Sequence, residues 1–174
     1  MKIAFHKYQG AGNDFVIIDN REKKVKLNQK EISKICDRHF GIGADGLMLL
    51  ELQKGCDFKM VYFNSDGRES TMCGNGGRYI VLFAKDLGII KDKTSFLAID
   101  GMHEASIKKN LVKLGMIEPK NFTKEGNDYT INTGSPHFIQ FVKDAKKTDV
   151  YNSGYNIRNN KTFKKEGIDR KSVV

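Results

Sequence analysis

Cysteine is scarce in this 174-residue chain, and the cysteines present form no metal-binding or disulfide pattern. Cys36, Cys56 and Cys73 are an odd number of thiols, and no Cys-x-x-Cys spacing occurs. The four histidines are scattered along the sequence, and none falls in a His-Glu-x-x-His motif. These absences argue against a disulfide framework and against a zinc site, so we expect no bound metal.

Long hydrophobic runs are also missing. No apolar segment approaches the roughly 20 residues that a membrane-spanning helix needs. The N-terminal residues 1–7 have no apolar core of the kind found in signal peptides. Hydrophobic residues make up 39% of the chain, which is typical of a globular protein. The sequence therefore predicts a cytoplasmic protein with no membrane partner.

The basic balance of the chain lacks the features of a nucleic-acid-binding protein. The formal net charge is +9, but the lysines are spread out and form only short pairs, at 23–24, 108–109, 146–147 and 164–165. There is no long basic block and no alternation of aromatic and basic residues. We interpret the lysines as a solvated surface that helps to attract an anionic small molecule, with no nucleic-acid partner.

Short apolar or alternating segments predict strands in the first two thirds of the chain. They cover residues 3–8, 16–19, 47–52, 57–63 and 94–99, and a hairpin of 104–108 with 111–116. The near-continuous hydrophobicity of 47–52 predicts burial on both faces. Asn28 and Glu31 have capping-box spacing and predict a helix whose apolar face carries Ile32, Ile35, Cys36 and His39. Cys36 is therefore expected to be core packing.

A second helix is predicted at residues 79–88, closed by Gly88. Its side chains are apolar on every side, which predicts burial all round. Cys73 lies just before it, among glycines, where a helix N-terminus would stabilise a thiolate and attract a carboxylate or phosphate. A glycine-rich turn with an inert, buried cysteine is equally compatible with this placement alone. The fold class predicted for this part is α+β, a mixed, mostly antiparallel sheet wrapped around a central apolar helix.

One of only two prolines, Pro119, marks the best domain boundary. We predict a first lobe at residues 1–118 and the beginning of a second, incomplete lobe at 119–174. Strands are predicted at 128–133 and 137–142 in the second part. After residue 144 the chain is polar with little periodicity, so we predict no further helix that could close a second core.

Five motifs occur in a fixed order, and their combination is far more specific than any one of them. They are Gly10-Ala11-Gly12-Asn13-Asp14-Phe15, the segment Asp37 to Gly46, Phe63-Asn64-Ser65-Asp66-Gly67, Met72-Cys73-Gly74-Asn75-Gly76-Gly77-Arg78 and Gly134-Ser135-Pro136-His137. This combination closely resembles the diaminopimelate epimerases, from residue 2 to about residue 167.

The resemblance implies a cofactor-independent isomerase that interconverts LL- and meso-diaminopimelate for lysine and peptidoglycan precursor synthesis. In this family two cysteines, each at the N-terminus of the central helix of one lobe, face each other across the substrate α-carbon. One removes the α-proton as a thiolate and the other delivers a proton to the opposite face. By motif, the implied catalytic residues are Cys73 and His137, and the implied substrate-binding residues are Asn13, Asn64, Gly74, Asn75 and Ser135.

The sequence departs from the family pattern at several positions. Ser135 replaces an asparagine, and Gly46 stands where some members have glutamine. The family continues for roughly another hundred residues, which carry the second cysteine and a Glu-Arg pair, and residues 169–173 do not match its corresponding strand. We therefore expect the 174 residues alone to be inactive or impaired.

Two alternatives stay open at the level of sequence. One is a related cofactor-independent racemase or isomerase, of the proline, hydroxyproline or phenazine-biosynthesis type. The other is a truncated, non-catalytic protein that self-associates, in which a homodimer covers an exposed sheet edge and the open side of the site.

Overall fold

A computed structural model describes residues 2–133, 136–165 and 168–173. The chain divides into two compact units, Met1–Met116 and Ile117–Val174.

The first unit contains seven strands and two helices. In chain order they are β1 (His6–Gly10), β2 (Asn13–Asp19), α1 (Gln29–Cys36), β3 (Gly46–Glu51), β4 (Phe58–Asn64), α2 (Gly74–Asp86), β5 (Lys93–Ala98), β6 (Gly101–Lys108) and β7 (Leu111–Leu114). The strands lie side by side in the order β1-β2-β3-β4-β5-β6-β7. The β2–β3 and β4–β5 pairs are parallel, and the other pairs are antiparallel. Each parallel pair is joined through a helix, as such crossovers require.

Strands β2 and β3 are buried on both faces because a helix covers each side of them. Along the two strands, alternate side chains enter different cores. Phe15, Ile17, Met48 and Leu50 pack in the core that contains α2. Val16, Ile18, Leu47 and Leu49 pack in a second core with α1 residues Ile32 and Cys36. The predicted double burial is confirmed for residues 47–50 but is wrong for Leu52, which is exposed beyond the end of β3. The packing role of Cys36 is confirmed.

The sheet curls around α2, which contacts β1, β2 and β3 near one edge and β7 at the other. Ile80, Val81, Phe83 and Ala84 are the helix residues at the centre of this core. The fold class predicted for this unit, a mixed and mostly antiparallel sheet around a central helix, is confirmed.

Three predictions about the helices need correction. Helix α2 begins at Gly74 rather than near residue 79, because glycines that predict a loop here form its first turn. Burial all round is wrong, since Arg78 and Asp86 are exposed. Helix α1 has the predicted capping box of Asn28 and Glu31, but it ends at Cys36. His39 therefore lies in the following turn and not on the helical face.

The second unit contains β8 (Lys120–Glu125), β9 (Asp128–Asn132), β10 (Pro136–Phe141), α3 (Val150–Arg158) and β11 (Asp169–Val173). Its strands lie in the order β11-β10-β9-β8, with β10 and β11 parallel. Helix α3 follows residue 144, where we predicted no helix that could close a second core; the helix exists, but it buries none of its residues. Helix α3 was missed because none of its residues is buried, so it has no apolar stripe. Its start is marked only by Asp149, whose side chain accepts from Asn152 N.

Within the described residues, no helix is long and apolar enough to cross a membrane.

Candidate active site

Cys73 is the N-cap residue of α2, as the sequence predicts. Its backbone is extended, with φ −104° and ψ 123°, and its side chain makes no capping hydrogen bond. The first turn of α2 carries no acidic residue. The intrahelical ladder begins with Gly77 N, which donates to Cys73 O at 2.7 Å. The N–H groups of Gly74, Asn75 and Gly76 thus precede the ladder and point out of the helix end, where they can hold an anion.

Two glycines of this first turn, Gly76 and Gly77, lie close to side chains of the surrounding core. A Cβ on Gly77 would lie 2.7 Å from Met72 Cε and 2.9 Å from Leu114 Cδ2. A Cβ on Gly76 would lie 3.2 Å from Met48 Sδ. The missing side chains let the helix end sit deep against the sheet, with Cys73 half-buried at its tip.

Asn13 brings the thiol and the helix end together. It begins β2, directly after a turn in which Ala11 and Gly12 both have positive φ, at 54° and 78°. Its Oδ1 lies 3.8 Å from Cys73 Sγ and 3.4 Å from Asn75 Nδ2. Asn13 therefore contacts two other residues implied by the family resemblance, Cys73 and Asn75.

The other end of the Asn13 amide is held by a charged network. Asn13 Nδ2 donates to Asp45 Oδ2 at 2.7 Å. Arg38 Nη2 bridges the two carboxylates, at 2.7 Å from Asp45 Oδ1 and 2.8 Å from Asp14 Oδ1. Lys7 Nζ lies 2.8 Å from Asp14 Oδ2 and also donates to the carbonyl of Gly43. Two cations thus balance two carboxylates behind Asn13.

These contacts shift the protonation equilibria of the network. The hydrogen bond from Asn13 is the largest influence that lowers the pKa of Asp45, and Arg38 adds to it. The hydrogen bond from Arg38 holds the pKa of Asp14 far below its usual range. Both carboxylates are therefore ionised at neutral pH and act only as hydrogen-bond acceptors.

Asn64 lies on the same side of the sheet, at the end of β4 and opposite Gly46 of β3. Its side chain is exposed, and its Oδ1 accepts from Tyr62 Oη at 2.9 Å. Burial raises the pKa of Tyr62, and the nearby Cys73 raises it further, so its hydroxyl remains a donor. A Cβ on Gly46 would lie 2.5 Å from Tyr62 Cε2 and 2.5 Å from Phe63 O. Tyr62 thus occupies the space that a side chain at position 46 would need.

The remaining candidates belong to the second unit of the chain. His137 is on β10 of the second unit, with Nδ1 3.3 Å from Thr133 Oγ1. Ser135 lies outside the described residues. Among the residues that are described, no group of three or more His, Cys, Asp or Glu side chains is placed to hold a metal ion.

The other two cysteines differ from Cys73 in their surroundings. Cys36 is buried in the α1 core, and burial raises its pKa to about 11. Cys56 Sγ donates to Phe58 O at 3.2 Å, away from the glycine-rich helix end. Both are free thiols.

Sequence reasoning identified the Asp37–Gly46 motif but assigned no role to Asp45, Arg38 or Tyr62. One signal was available. Asp14 and Asp45 each directly precede the first aligned pair of two parallel strands, Phe15 and Gly46. Residues at matching starts of neighbouring parallel strands are close together, so two carboxylates there require a cation between them.

A model of the diaminopimelate epimerase family matches residues 5–119. The chain is 55% identical over 155 residues to a diaminopimelate epimerase of Flavobacterium psychrophilum, covering 88% of this chain and 60% of that protein. It is 42% identical over 169 residues to the one of Chlorobaculum tepidum, covering 92% and 65%. The chain therefore spans less than two thirds of the length of these two relatives.

Solved structures with low sequence identity share the fold. A hydroxyproline epimerase from Agrobacterium vitis matches with a TM-score of 0.60 at 9% identity, covering 88% of this chain and 55% of that one. A phenazine biosynthesis protein of the PhzF family from Bacillus anthracis matches with a TM-score of 0.59 at 16% identity, covering 87% and 60%. With the family model covering most of the first unit and Cys73 at an open helix end, this chain belongs to the diaminopimelate epimerase family.

Proposed function

We propose that the first unit provides one acid/base of a cofactor-independent diaminopimelate epimerase, with Cys73 as the group that exchanges the substrate α-proton. The observation that carries the proposal is the position of Cys73 in a family member: a half-buried thiol at an uncapped helix N-terminus with no acidic residue in the first turn. That arrangement places a proton-transfer group beside donors for a carboxylate.

The proposed proton transfer requires both the thiol and the donors for the carboxylate. An amino-acid α-proton is very weakly acidic, so its removal requires stabilisation of the negative charge that develops on the α-carbon and carboxylate. The outward N–H groups of Gly74 and Asn75 would bind that carboxylate and stabilise the charge as it grows. Because these donors are fixed by the helix, they need no reorganisation during the reaction.

Asn13 and Asn64 are proposed to contact the substrate beyond the carboxylate. Asn13 is held against Cys73 and suits the reacting end. Asn64 is exposed and oriented by Tyr62, which suits the distant polar end of diaminopimelate. Amide side chains can both donate and accept, as an ammonium and carboxylate pair at that end would require.

The second unit is proposed to begin the second lobe, within the predicted lobe boundaries of 1–118 and 119–174. In this proposal His137 tunes the catalytic thiols and Ser135 contacts the substrate. Support comes from the Gly134-Ser135-Pro136-His137 motif, which has the family order in the sequence.

Deuterium exchange in D₂O tests the role of Cys73. The 174 residues contain one Cys-Gly pair, at Cys73-Gly74. We therefore expect this chain to introduce deuterium at the α-carbon of one diaminopimelate stereoisomer without inverting it, as followed by ¹H NMR and chiral chromatography. Appreciable epimerisation would contradict the expected need for a second thiol. An absence of exchange above the buffer rate would contradict the acid/base role itself.

A related racemase is the competing assignment. The structural neighbours share only the fold with this chain at 9% and 16% identity, so they do not favour it. Asn13 and Asn64 instead suit a substrate with a second polar end. Calorimetric titration should give binding of diaminopimelate and none of proline; the opposite order would favour the racemase.

A homodimer and a cytoplasmic location are part of the same proposal. Strands β1 and β7 border the described sheet of the first unit, and bordering strands present unpaired backbone groups to a second copy. Size-exclusion chromatography with light scattering would test the dimer, and a clean monomer at micromolar concentration would contradict it. Fractionation of cells that express the tagged gene would test the location.

A further inference from the structure

The side-chain amide of Asn13 has two chemically different ends, and the structure uses both. The oxygen Oδ1 faces the Cys73 thiol at 3.8 Å, and the nitrogen Nδ2 faces Asp45 Oδ2 at 2.7 Å. Rotation of the amide by half a turn would exchange the two ends. The thiol would then meet a hydrogen-bond donor instead of an acceptor.

Asp45 favours one orientation of the Asn13 amide. Its carboxylate is ionised, since Asn13 and Arg38 both favour the charged form, so it can only accept hydrogen bonds. Its Oδ2 also accepts from the backbone N of Asp14 at 3.1 Å, and its Oδ1 accepts from Arg38 at 2.7 Å. The carboxylate is therefore fixed in place, and a flipped Asn13 would put two oxygens against each other.

We propose that Asp45 is a positioning residue that holds the Asn13 amide with its oxygen toward Cys73, where this oxygen opposes ionisation of the thiol. The oxygen accepts from the S–H group and repels the thiolate. It thereby opposes the helix N-terminus, which favours the thiolate. The Asn13 oxygen and the helix end thus act on the thiol in opposite directions.

This inference rests on the proposed acid/base role of Cys73 for its catalytic meaning, but its test reads the thiol directly. The rate of alkylation by iodoacetamide, followed at Cys73 by peptide mass spectrometry, reports the fraction of thiolate at each pH. Buried Cys36 in the same sample serves as an internal reference for intact folding.

In Asp45→Ala the amide nitrogen loses its acceptor, and only the long contact of Oδ1 with Asn75 Nδ2, at 3.4 Å, still favours the present orientation. We expect the pH of half-maximal alkylation to fall by about one unit, which is about a tenfold faster reaction on the acidic side of the midpoint. In Asp45→Asn an amide oxygen at the position of Oδ2 still accepts from Asn13 and from the backbone N–H of Asp14. The new NH2 group then faces Arg38, which keeps its bond to Asp14. The alkylation profile should therefore stay within about 0.3 units of the unaltered chain.

Asp14→Asn is the matched control. It removes one negative charge from the same network but leaves the contact of Asp45 with the Asn13 side chain intact. Its profile should also stay close to that of the unaltered chain. Equal shifts in all three variants would show that net charge, and not the amide, sets the profile, and would overturn the proposal. An unchanged profile in Asp45→Ala would overturn it as well.

A second measurement decides the matter if Asp45→Ala does not fold. In the unaltered chain, NMR of the side-chain amide protons of Asn13 can be followed while Cys73 titrates. Protons bonded to Asp45 should move little, whereas a large downfield shift of one of them as the thiolate forms would mean that the nitrogen faces the sulfur and would overturn the proposal. Loss of substrate exchange with this positioning intact would instead count against the proposed function alone.

Discussion

Helices α1 and α2 of the first unit begin in opposite ways. At α1, Asn28 Oδ1 accepts from Glu31 N at 3.0 Å while Glu31 Oε2 accepts from Asn28 N at 2.8 Å. At α2, the residue in the capping position is Cys73, which makes no such bond, and no acidic residue follows it in the first turn. The same sheet thus carries one closed helix end and one open end.

Under the proposed function, the difference separates a structural from a functional use of the same backbone donors. A capping box satisfies donors that would otherwise need water, and it stabilises the helix by about 1 kcal/mol. An open end forgoes that contribution and keeps its donors available for an anion. The glycines at 74, 76 and 77 lower helix propensity further, so α2 depends on the packing of Ile80, Val81 and Phe83.

Removing the thiol from the uncapped end of α2 should have the largest effect. Cys73→Ala should lower deuterium exchange into diaminopimelate at least about a hundredfold, because general acid/base groups contribute about that much or more. NMR in D₂O measures the rate. Cys56→Ala is the matched control and should retain the exchange rate; a similar loss in both variants would mean that Cys73 has no special role.

Removing the cap at the start of α1 should destabilise the fold. Asn28→Ala removes the cap of α1 and should cost about 1 kcal/mol in the free energy of unfolding, measured with urea. Lys30→Ala, at an exposed position on the same helix, should change it by less than about 0.5 kcal/mol. Equal effects of the two substitutions would remove the contrast between the helix ends.

Adding a cap at the start of α2 should stabilise the fold. Cys73→Ser places a capping hydroxyl at α2 and should raise the free energy of unfolding by about 0.5 to 1 kcal/mol, while exchange activity is lost. Cys56→Ser lies outside any cap and should leave both the free energy of unfolding and the exchange activity unchanged. If Cys73→Ser destabilised the chain, the missing cap would not be what limits the stability of the α2 N-terminus.

The smallest expected effect is on the stability of the fold at low pH. The pKa values of Asp14 and Asp45 are lowered in the fold, so their contribution is complete above the ordinary aspartate pKa of about 4 and is lost as the pH falls below it. Because the network is partly exposed, the loss should be only a few tenths of a kcal/mol. Asp14→Asn should show a shallower decline between pH 4 and pH 2 in urea titrations; a slope equal to that of the unaltered chain would contradict this.

The sequence predicts much of this comparison, because both helix ends are marked by local chemistry. Asn28 and Glu31 have the spacing of a capping box, and Cys73 stands among glycines between a strand and an apolar helix. The extent of α2 was not predictable, since three glycines in one turn normally end a helix. Here packing against Met72 and Leu114 overrides that preference.

The network behind Asn13 was harder to anticipate for another reason. Asp45, Arg38 and Tyr62 act through contacts across strands, and no local pattern indicates which way an amide faces. Helix α3 was missed because it buries nothing, so no periodicity appears in its sequence.

The doubly buried strands β2 and β3 have a consequence for motion around the thiol. Their amide hydrogens, from Val16 to Ile18 and from Leu47 to Leu49, lie between two cores and should exchange with solvent only when the whole unit unfolds. Asn13 and Asp45 stand at or beside the starts of these strands. Asn13 and Asp45 are thus anchored to the part of the unit that should open most slowly, which keeps the Asn13 amide in place beside the thiol.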